Sequence, residues 1–525
     1  MHNGPARACP ILIAAACLAL LPAPARAQLP STLAQTVPAD AIVLRLTVDD
    51  AVRLAAENNL GIQIQRFTPQ IQDVGIDQAR AAWVPSISTT VQSRSSTTPS
   101  NSFLSGAVGD ATTDRSVTST ATLQQTVPWG GNYSVGWDGA RSTTNSLFSN
   151  FSPQLRSSLS VSYTQQLLRG FSVDASRQQI QTSVRQREIA DIQVRETLAA
   201  TQRSVRVAYW DLVFAIASLR VQQQSLDLAR ESLRNTRARI EIGTLPPIDE
   251  VGQEAEVARR EESVITAEAQ IETAEDSLRT LILKPDDPDF WAIRLEPTEA
   301  PEFAVTTVDV GWAITAALER RTDLVQARKQ LEVNDINIRY IRDQTRPELT
   351  ADFDYGLSGI GGTQYARIGG DLLAERIPVG ERGFGSVLGD VFTNAYPTWT
   401  TAVRLTVPIG ASPQEASLAR ARLEYRQAEA QLKNQQLQVA TQVRQAARQV
   451  LTNQKRVETT RTARELTERT LEAEQRKLAA GTSQNFLVLQ AQRDLAQARN
   501  DELRAIIDYH QSVVDLETVQ EVPLR

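Results

Sequence analysis

An α+β chain of two similar halves, each joining a very long helical hairpin to amphipathic strands, is the architecture that the sequence predicts, and three observations predict it. Asp174 to Ile242 and Gln414 to Ala480 contain no Gly or Pro, and each stretch stops at a Gly-Thr pair, Gly243-Thr244 and Gly481-Thr482. At ~1.5 Å per residue these are helices of roughly 100 Å, longer than a globular core needs. The second observation is repetition: at an offset of 238 residues Val205, Arg206 and Ala208 return as Val443, Arg444 and Ala446, and Arg239 is answered by Lys477. The third is period-two alternation after Pro347, with Leu349, Ala351, Phe353 and Tyr355 on one side and Thr350, Asp352 and Asp354 on the other. A repeated supersecondary unit predicts one continuous architecture rather than several independent domains.

In chain order, the first segment reads as an export signal. Arg7 precedes an apolar run from Ile11 to Leu21, and Ala25-Arg26-Ala27 supplies small residues around a cleavage point. Residues 1–27 are therefore expected to be a signal peptide, the mature chain starting at Gln28. The run is short for a membrane-spanning helix, and apolar residues continue past Cys17 where a lipoprotein would turn polar. The only two cysteines, Cys9 and Cys17, fall inside this segment, so the mature chain has no thiol for a disulfide, a metal or catalysis. Removing Arg7 and Arg26 leaves 53 basic against 61 acidic residues, a net charge of −8. Those charges interleave rather than cluster, which argues against nucleic-acid binding.

Thr47 can cap a helix carrying Ala51, Val52, Leu54 and Ala55 on one side, and a second helix is expected to reach about Trp83. The second half repeats this at an offset of 262 residues, Ala51 matching Ala313, Arg66 matching Arg328 and Pro85 matching Pro347. Each proline should end a helix and begin an extended run. Runs near ten residues with aromatics toward their ends, such as Leu159, Val161 and Tyr163 against Ser158, Ser160 and Ser162, carry the pattern of outer-membrane barrel strands. Asp352, Asp354 and Arg404 then read as lumen-facing or solvated charges, and Asp50 as a solvated one. One chain has too few strands to close a barrel, so several copies must share one. The offset falls from 262 to 238 residues across the strand region, leaving the first half 24 extra residues, enough for one more hairpin. Ser119 to Val127 and Asn132 to Ala140 would form it, with long polar outer loops at Ser95 to Arg115 and Ser142 to Gln154. Four strands would come from the first half and two from the second, 18 in the homotrimer that the family resemblance below implies; an extracellular hairpin standing above a 12-strand barrel of two strands per repeat is the alternative.

Five segments together resemble the TolC-like outer-membrane efflux protein family. They are Leu46-Thr-Val-Asp-Asp-Ala-Val-Arg-Leu-Ala, Tyr163-Thr-Gln-Gln-Leu-Leu-Arg-Gly-Phe, Ala208-Tyr-Trp-Asp-Leu, Arg239-Ile-Glu-Ile-Gly-Thr-Leu-Pro-Pro-Ile-Asp and Gly481-Thr-Ser-Gln-Asn-Phe-Leu-Val-Leu-Gln-Ala-Gln. The resemblance spans nearly all of the mature chain and implies a homotrimeric outer-membrane β-barrel continuous with a long periplasmic α-helical, coiled-coil barrel. It implies an exit duct of a tripartite efflux or type I secretion system that carries small molecules or polypeptides, with a periplasmic adaptor protein and an inner-membrane transporter as partners. The first repeat would cover 28–305 (strands about 84–166, hairpin about 174–284) and the second 306–525 (strands about 347–408, hairpin about 412–519). A periplasmic coiled-coil adaptor without a pore is the alternative, but an adaptor carries one hairpin and this chain has two.

Neither an enzyme nor a cofactor is expected. His2 lies in the signal, and His510 has no companion His or Cys, so it reads as a packed or solvated side chain. Gly243 and Gly481 can end helices in the left-handed conformation. With Thr244, Thr482, Arg239 and Lys477 they are expected to form the periplasmic tip on which an adaptor docks. Asp249 and Leu487 occupy equivalent positions six residues beyond these glycines. Three-fold symmetry would make a carboxylate ring of Asp249, with Glu250, and an apolar constriction of Leu487 beside Gln490. Family members often carry acidic residues here, a pattern from which Leu487 and Gln490 depart. Asp249 can also be simply a helix-start carboxylate.

Overall fold

The computed structural model describes residues 43–100, 106, 109–367, 376–410 and 412–521. The signal segment 1–27, with its cysteines and His2, lies outside the described residues. The chain opens with β1 (Val43–Leu46), α1 (Val48–Asn58) and α2 (Leu60–Arg80), followed by a 3-10 turn that ends at Trp83. Thr47 caps α1 as expected: its hydroxyl accepts from Asp50 N, and the Asp50 carboxylate answers the Thr47 backbone in a capping box.

Four strands follow, β2 (Ser86–Pro99), β3 (Ala111–Thr126), β4 (Gly131–Thr144) and β5 (Phe151–Gln166). Then come α3 (Ala175–Glu241), α4 (Ile248–Ile282) and β6 (Arg294–Pro297), which pairs in parallel with β1. The second half holds α5 (Val310–Arg320), α6 (Thr322–Gln344), β7 (Glu348–Arg367), β8 (Arg376–Arg382), α7 (Phe384–Phe392) and β9 (Pro397–Thr406). It closes with α8 (Pro413–Ala479) and α9 (Asn485–Gln520). Both long helices have 67 residues, about 100 Å, and α1 and α5 have 11 each. Asp174 caps α3 through Arg177 N, and Ser412 caps α8 through Glu415 N with Pro413 in its first turn.

The strands form one antiparallel sheet in the order β2-β3-β4-β5-β7, with β8 and β9 both on the far edge of β7. Ile87, Leu123, Val135, Val161, Tyr355 and Trp399 stand in one row across it, while Ser88, Thr122, Gly136, Ser160, Gly356 and Thr398 form the next row on the opposite face. One face is thus apolar and aromatic, the other Ser- and Thr-rich.

Several expectations are corrected here. The loops expected at Ser95 to Arg115 and Ser142 to Gln154 are strand at both ends, through Pro99 and from Ala111 in the first and through Thr144 and from Phe151 in the second, with residues 101–105 and 107–108 outside the described residues; Thr and Ser pair well across a ladder, as Thr97 and Thr113 do at 3.2 Å. The strands run to 14 to 20 residues in β2, β3, β4, β5 and β7 rather than ten. The second half contributes two strand positions, as expected, but the outer one is split into β8 and β9 by α7. That helix buries Val387 and Val391 against β5 and β7. Gly359 makes the close approach tolerable, since a Cβ there would sit 2.2 Å from Val387 O.

Below the sheet the helices form four columns. Toward the tips α3 packs between α4 and α9, with α8 beyond α9; toward the sheet α3 packs between α2 and α6, with α8 beyond α6. Each 67-residue helix therefore lies beside a column of two stacked shorter ones. At one joint Asn58 and Asn59 donate to Ile282 O and Leu281 O, the last carbonyls of α4, at 3.0 and 3.1 Å. At the other, the Glu521 carboxylate accepts from Thr322 N and Oγ1 at 2.9 and 2.8 Å, tying the end of α9 to the start of α6. Both joints lie beside the buried cores. One core holds Leu46, Ala51, Val205, Tyr209 and Ile282, the other Ala313, Leu324, Val439, Val443 and Tyr509. Ala51 and Ala313, and Val205 and Val443, are matched positions in the two halves, and all four are buried.

Candidate functional site: the hairpin tips

The two tips repeat one backbone device. Gly243 and Gly481 take φ of 77° and 73°, the left-handed region that a side chain disfavours. Gly243 N then donates to Ile240 O at 2.9 Å and Thr244 N to Arg239 O at 2.8 Å; Gly481 N donates to Leu478 O at 3.1 Å and Thr482 N to Lys477 O at 2.9 Å. The Thr244 and Thr482 hydroxyls add second bonds to those same carbonyls, at 2.8 and 3.1 Å. Arg239 and Lys477 thus serve the turn through their backbones. The Lys477 ammonium turns to Glu474 of its own helix at 2.7 Å, and Ser483 Oγ donates to the other oxygen at 2.7 Å. Together these bonds, that of Lys477 foremost, hold the Glu474 carboxyl below its usual range.

Across the first hairpin the connection runs through Arg237, whose guanidinium donates to Glu250 at 2.7 Å and to Glu254 at 2.6 Å. Glu250 is therefore half-neutralised by its own chain. Asp249 is half-buried in the first turn of α4, where its backbone N–H bonds Pro246 O at 3.1 Å. Leu487, at the start of α9, is 45% exposed and neighbours the exposed Phe486; Gln490 donates to Asp494 at 2.8 Å. Between the hairpins lies a groove of ≈ 310 Å³ lined by residues that include Asn235, Thr236, Arg239, Leu245, Leu478 and Val488. Asn485 spans it to Thr236 Oγ1 at 3.3 Å.

Two turns further in, a buried ion cluster joins the hairpins. Glu256 of α4 is 3% exposed. It accepts from Arg493 of α9 at 2.6 and 3.0 Å through one oxygen and from Arg260 at 2.9 Å through the other. Burial pushes this carboxyl up, but Arg493 and Arg260 outweigh it and hold it below its usual range. Gln253, one turn earlier, is fully buried, and its amide has no hydrogen-bond partner among the described residues. Arg237, Glu256 and Arg493 are not among the tip residues expected from the sequence. A signal was present, since the 238-residue offset sets Glu256 opposite Asp494, an acidic match in both tips. Among the described residues no group of three or more His, Cys, Asp or Glu could hold a metal ion. No described helix is long and apolar enough to cross a membrane.

The model of the outer membrane efflux protein family matches residues 51–282 and 313–519, the two halves in turn. The chain belongs to this family. It is an outer-membrane efflux channel that reaches into the periplasm, as the TolC-like segments imply, and the pore-free adaptor reading finds no support. No curated protein matches in sequence. Among solved structures, the chain is similar to a membrane protein from Pseudomonas aeruginosa, with 16% identity over 92% of each chain and a TM-score of 0.65. It is also similar to the CmeC outer membrane channel of Campylobacter jejuni, at 13% identity over 90% of this chain and 85% of that one, with a TM-score of 0.62. The open-state MtrE outer membrane channel of Neisseria gonorrhoeae matches at 15% identity over 91% and 89%, with a TM-score of 0.60. At these identities the likeness is one of fold.

Proposed function

We propose that three copies of this chain, each a duplicated unit of residues 28–305 and 306–525, form one continuous passive duct from the periplasm through the outer membrane. The observation that carries this is the sheet: one apolar face, one Ser/Thr-rich face, and unpaired edges at β2 and β9 that hydrocarbon does not tolerate. The 67-residue helices supply the length to continue the duct inward.

In this reading the tips face the periplasmic adaptor and the inner-membrane transporter, which supplies the energy. Arg239, Gly243, Thr244, Lys477, Gly481 and Thr482 form the docking surface; the Arg239 side chain on the inter-hairpin groove and the twin turns support this. Asp249 provides the uncompensated carboxylate ring at the entrance, because Glu250 is already paired with Arg237. Leu487, exposed in the single chain, provides the apolar constriction beside Gln490. Native mass measurement of the detergent-extracted protein and planar-bilayer conductance test the reading together. We expect a trimer whose cation preference falls in Asp249→Asn and whose closed-state conductance rises in Leu487→Ala. A monomer, or unchanged selectivity and conductance in both variants, would overturn respectively the duct and the gate.

A further inference from the structure

We infer that the chain closes an 18-strand barrel, with β2 of each copy paired antiparallel to β9 of the next; this rests on the trimeric duct proposed above. Each copy supplies six strand positions, because β2 and β3 continue the same ladder and the same two faces as β4, β5, β7 and β9. Ile87, Val91, Val117, Ala121 and Leu123 extend the apolar face, and Thr90, Thr118, Thr120 and Thr122 the polar one. A hairpin standing in water above a smaller barrel has no need of that alternation.

Strand register sets the tilt of the closed barrel. From Ser86, the first residue of β2, direct opposition runs through Gln124, Ser134, Ser162 and Asp354 to Thr400, six residues short of the Thr406 end of β9. A climb of six residues over six strands, at ~3.3 Å per residue and ~4.8 Å between strands, is a tilt of about 35°, within the range of closed barrels. Counted from Gly131 of β4 instead, the row passes Gln165 and Ala351 to Val403, only three residues short of Thr406. Four strands with that climb tilt by about 27°, below the usual range of closed barrels.

The arc agrees. Six strands tilted at 35° cover about 35 Å per copy, and four helix columns at 8–10 Å spacing need about 32–40 Å; four strands cover only about 22 Å. Sheet and helices then share one circumference, with a backbone radius of about 17 Å. The six-residue climb also sets the seam. Ser86 meets Thr406 of the next copy, so Thr90 lies opposite Ala402 and Gln92 opposite Thr400 on the polar face, while Val91 meets Thr401 on the apolar face. An even climb is what keeps the two faces continuous across the seam.

Neither native cysteine lies beyond residue 17, so introduced pairs are the only thiols of the mature chain. Thr90→Cys/Ala402→Cys and Gln92→Cys/Thr400→Cys, oxidised in the assembled protein, should each give a covalent trimer on a denaturing gel. Thr90→Cys/Val403→Cys, which sets the thiols on opposite faces, should not. Neutral-polymer exclusion from the outer side should report a mouth about 2.5-fold larger in cross-section than a barrel of four strands per copy. If native mass shows a trimer and neither matched pair cross-links, the seam is elsewhere and the inference fails while the duct stands. If native mass shows no trimer, the duct and the seam fail together.

Discussion

Removing Arg493 tests whether the buried cluster holds the two hairpins of one chain together. Arg493 places two N–H groups on one oxygen of Glu256, which is 3% exposed, while Arg260 holds the other oxygen. Breaking a buried ion pair from one side costs about 3–5 kcal/mol, chiefly because the remaining charge is stranded. Arg260 stays in Arg493→Gln, and Arg259 lies at 3.8 Å, so the carboxylate keeps part of its compensation. We therefore expect about 2 kcal/mol, roughly a 30-fold shift toward separated hairpins. Amide hydrogen exchange over 248–260 and 485–497 in the assembled protein should accelerate by about that factor, with the cores around Val205 and Val443 unchanged. Adding Glu256→Gln to Arg493→Gln should restore part of the protection, since no buried charge is then left. The sign of the pH effect follows from the lowered carboxyl. Its contribution is present above the unfolded glutamate value of about 4.3 and is lost only as pH falls through the lower folded value. Wild-type exchange rates in Arg493→Gln, or strictly additive effects in the double variant, would show that the hairpins are held by their apolar contacts alone.

Two further expectations concern backbone and burial. Gly243→Ala should destabilise by about 1 kcal/mol although a Cβ there meets nothing within 4 Å, because the cost is purely that of φ 77°. Gly252→Ala, in the second turn of α4 with equally open space, should stabilise by about 0.8–1 kcal/mol; thermal melts of the two variants moving the same way would refute the assignment of the turn. His510 stacks on Trp210 at 4.2 Å and donates from Nε2 to Glu302 O at 2.9 Å. Burial pushes its pKa down despite that carbonyl and the nearby Glu299 carboxylate. Protonation is thus disfavoured in the fold, so stability should decline as pH falls below about 6.5 and level off below the folded value. His510→Gln should flatten that part of the melting-temperature profile, and an unchanged profile would remove His510 from the account.

What the sequence discloses depends on how local its physics is. Helix ends at Gly243 and Gly481 were legible because one residue type fits a left-handed turn, and so were the helix-to-strand changes at Pro85 and Pro347. Strand ends were less so. Ser and Thr between 95 and 115 serve a loop or a ladder equally, and only the partner strand decides, as Ser95 opposite Arg115 shows. The parallel pair of β1 with β6 escaped notice because two four-residue strands meet across about 250 residues of chain. So did α7, nine residues of which two are glycines, which is held by the sheet rather than by its own propensity. Arg493 and Glu256 are ordinary charges on two separate helices until packing buries one of them.

The two helix joints show how the halves keep one shape while their residues diverge. A helix end leaves carbonyls without donors and a helix start leaves N–H groups without acceptors, and stacking α2 on α4 or α6 on α9 buries both kinds together. In the first half the incoming helix solves the problem: Asn58 and Asn59 lend amide donors to the last carbonyls of α4. In the second half the outgoing helix solves it, with Glu521 turned into the left-handed region so that its carboxylate receives Thr322 N and Oγ1. A negative charge is favourable at the start of α6 and unfavourable at the end of α9, and the left-handed turn carries it from the second position toward the first. Neutral amides need no such turn, and Asn59 keeps an extended conformation with φ −63°. The donor-led joint satisfies the end carbonyls of α4, and the acceptor-led joint satisfies the starting N–H of α6, the two opposite kinds of orphan group. The two stacked columns are thus closed by different residues, so the repeat is read more easily from helix lengths, 67 residues in both α3 and α8, than from the side chains at the joints.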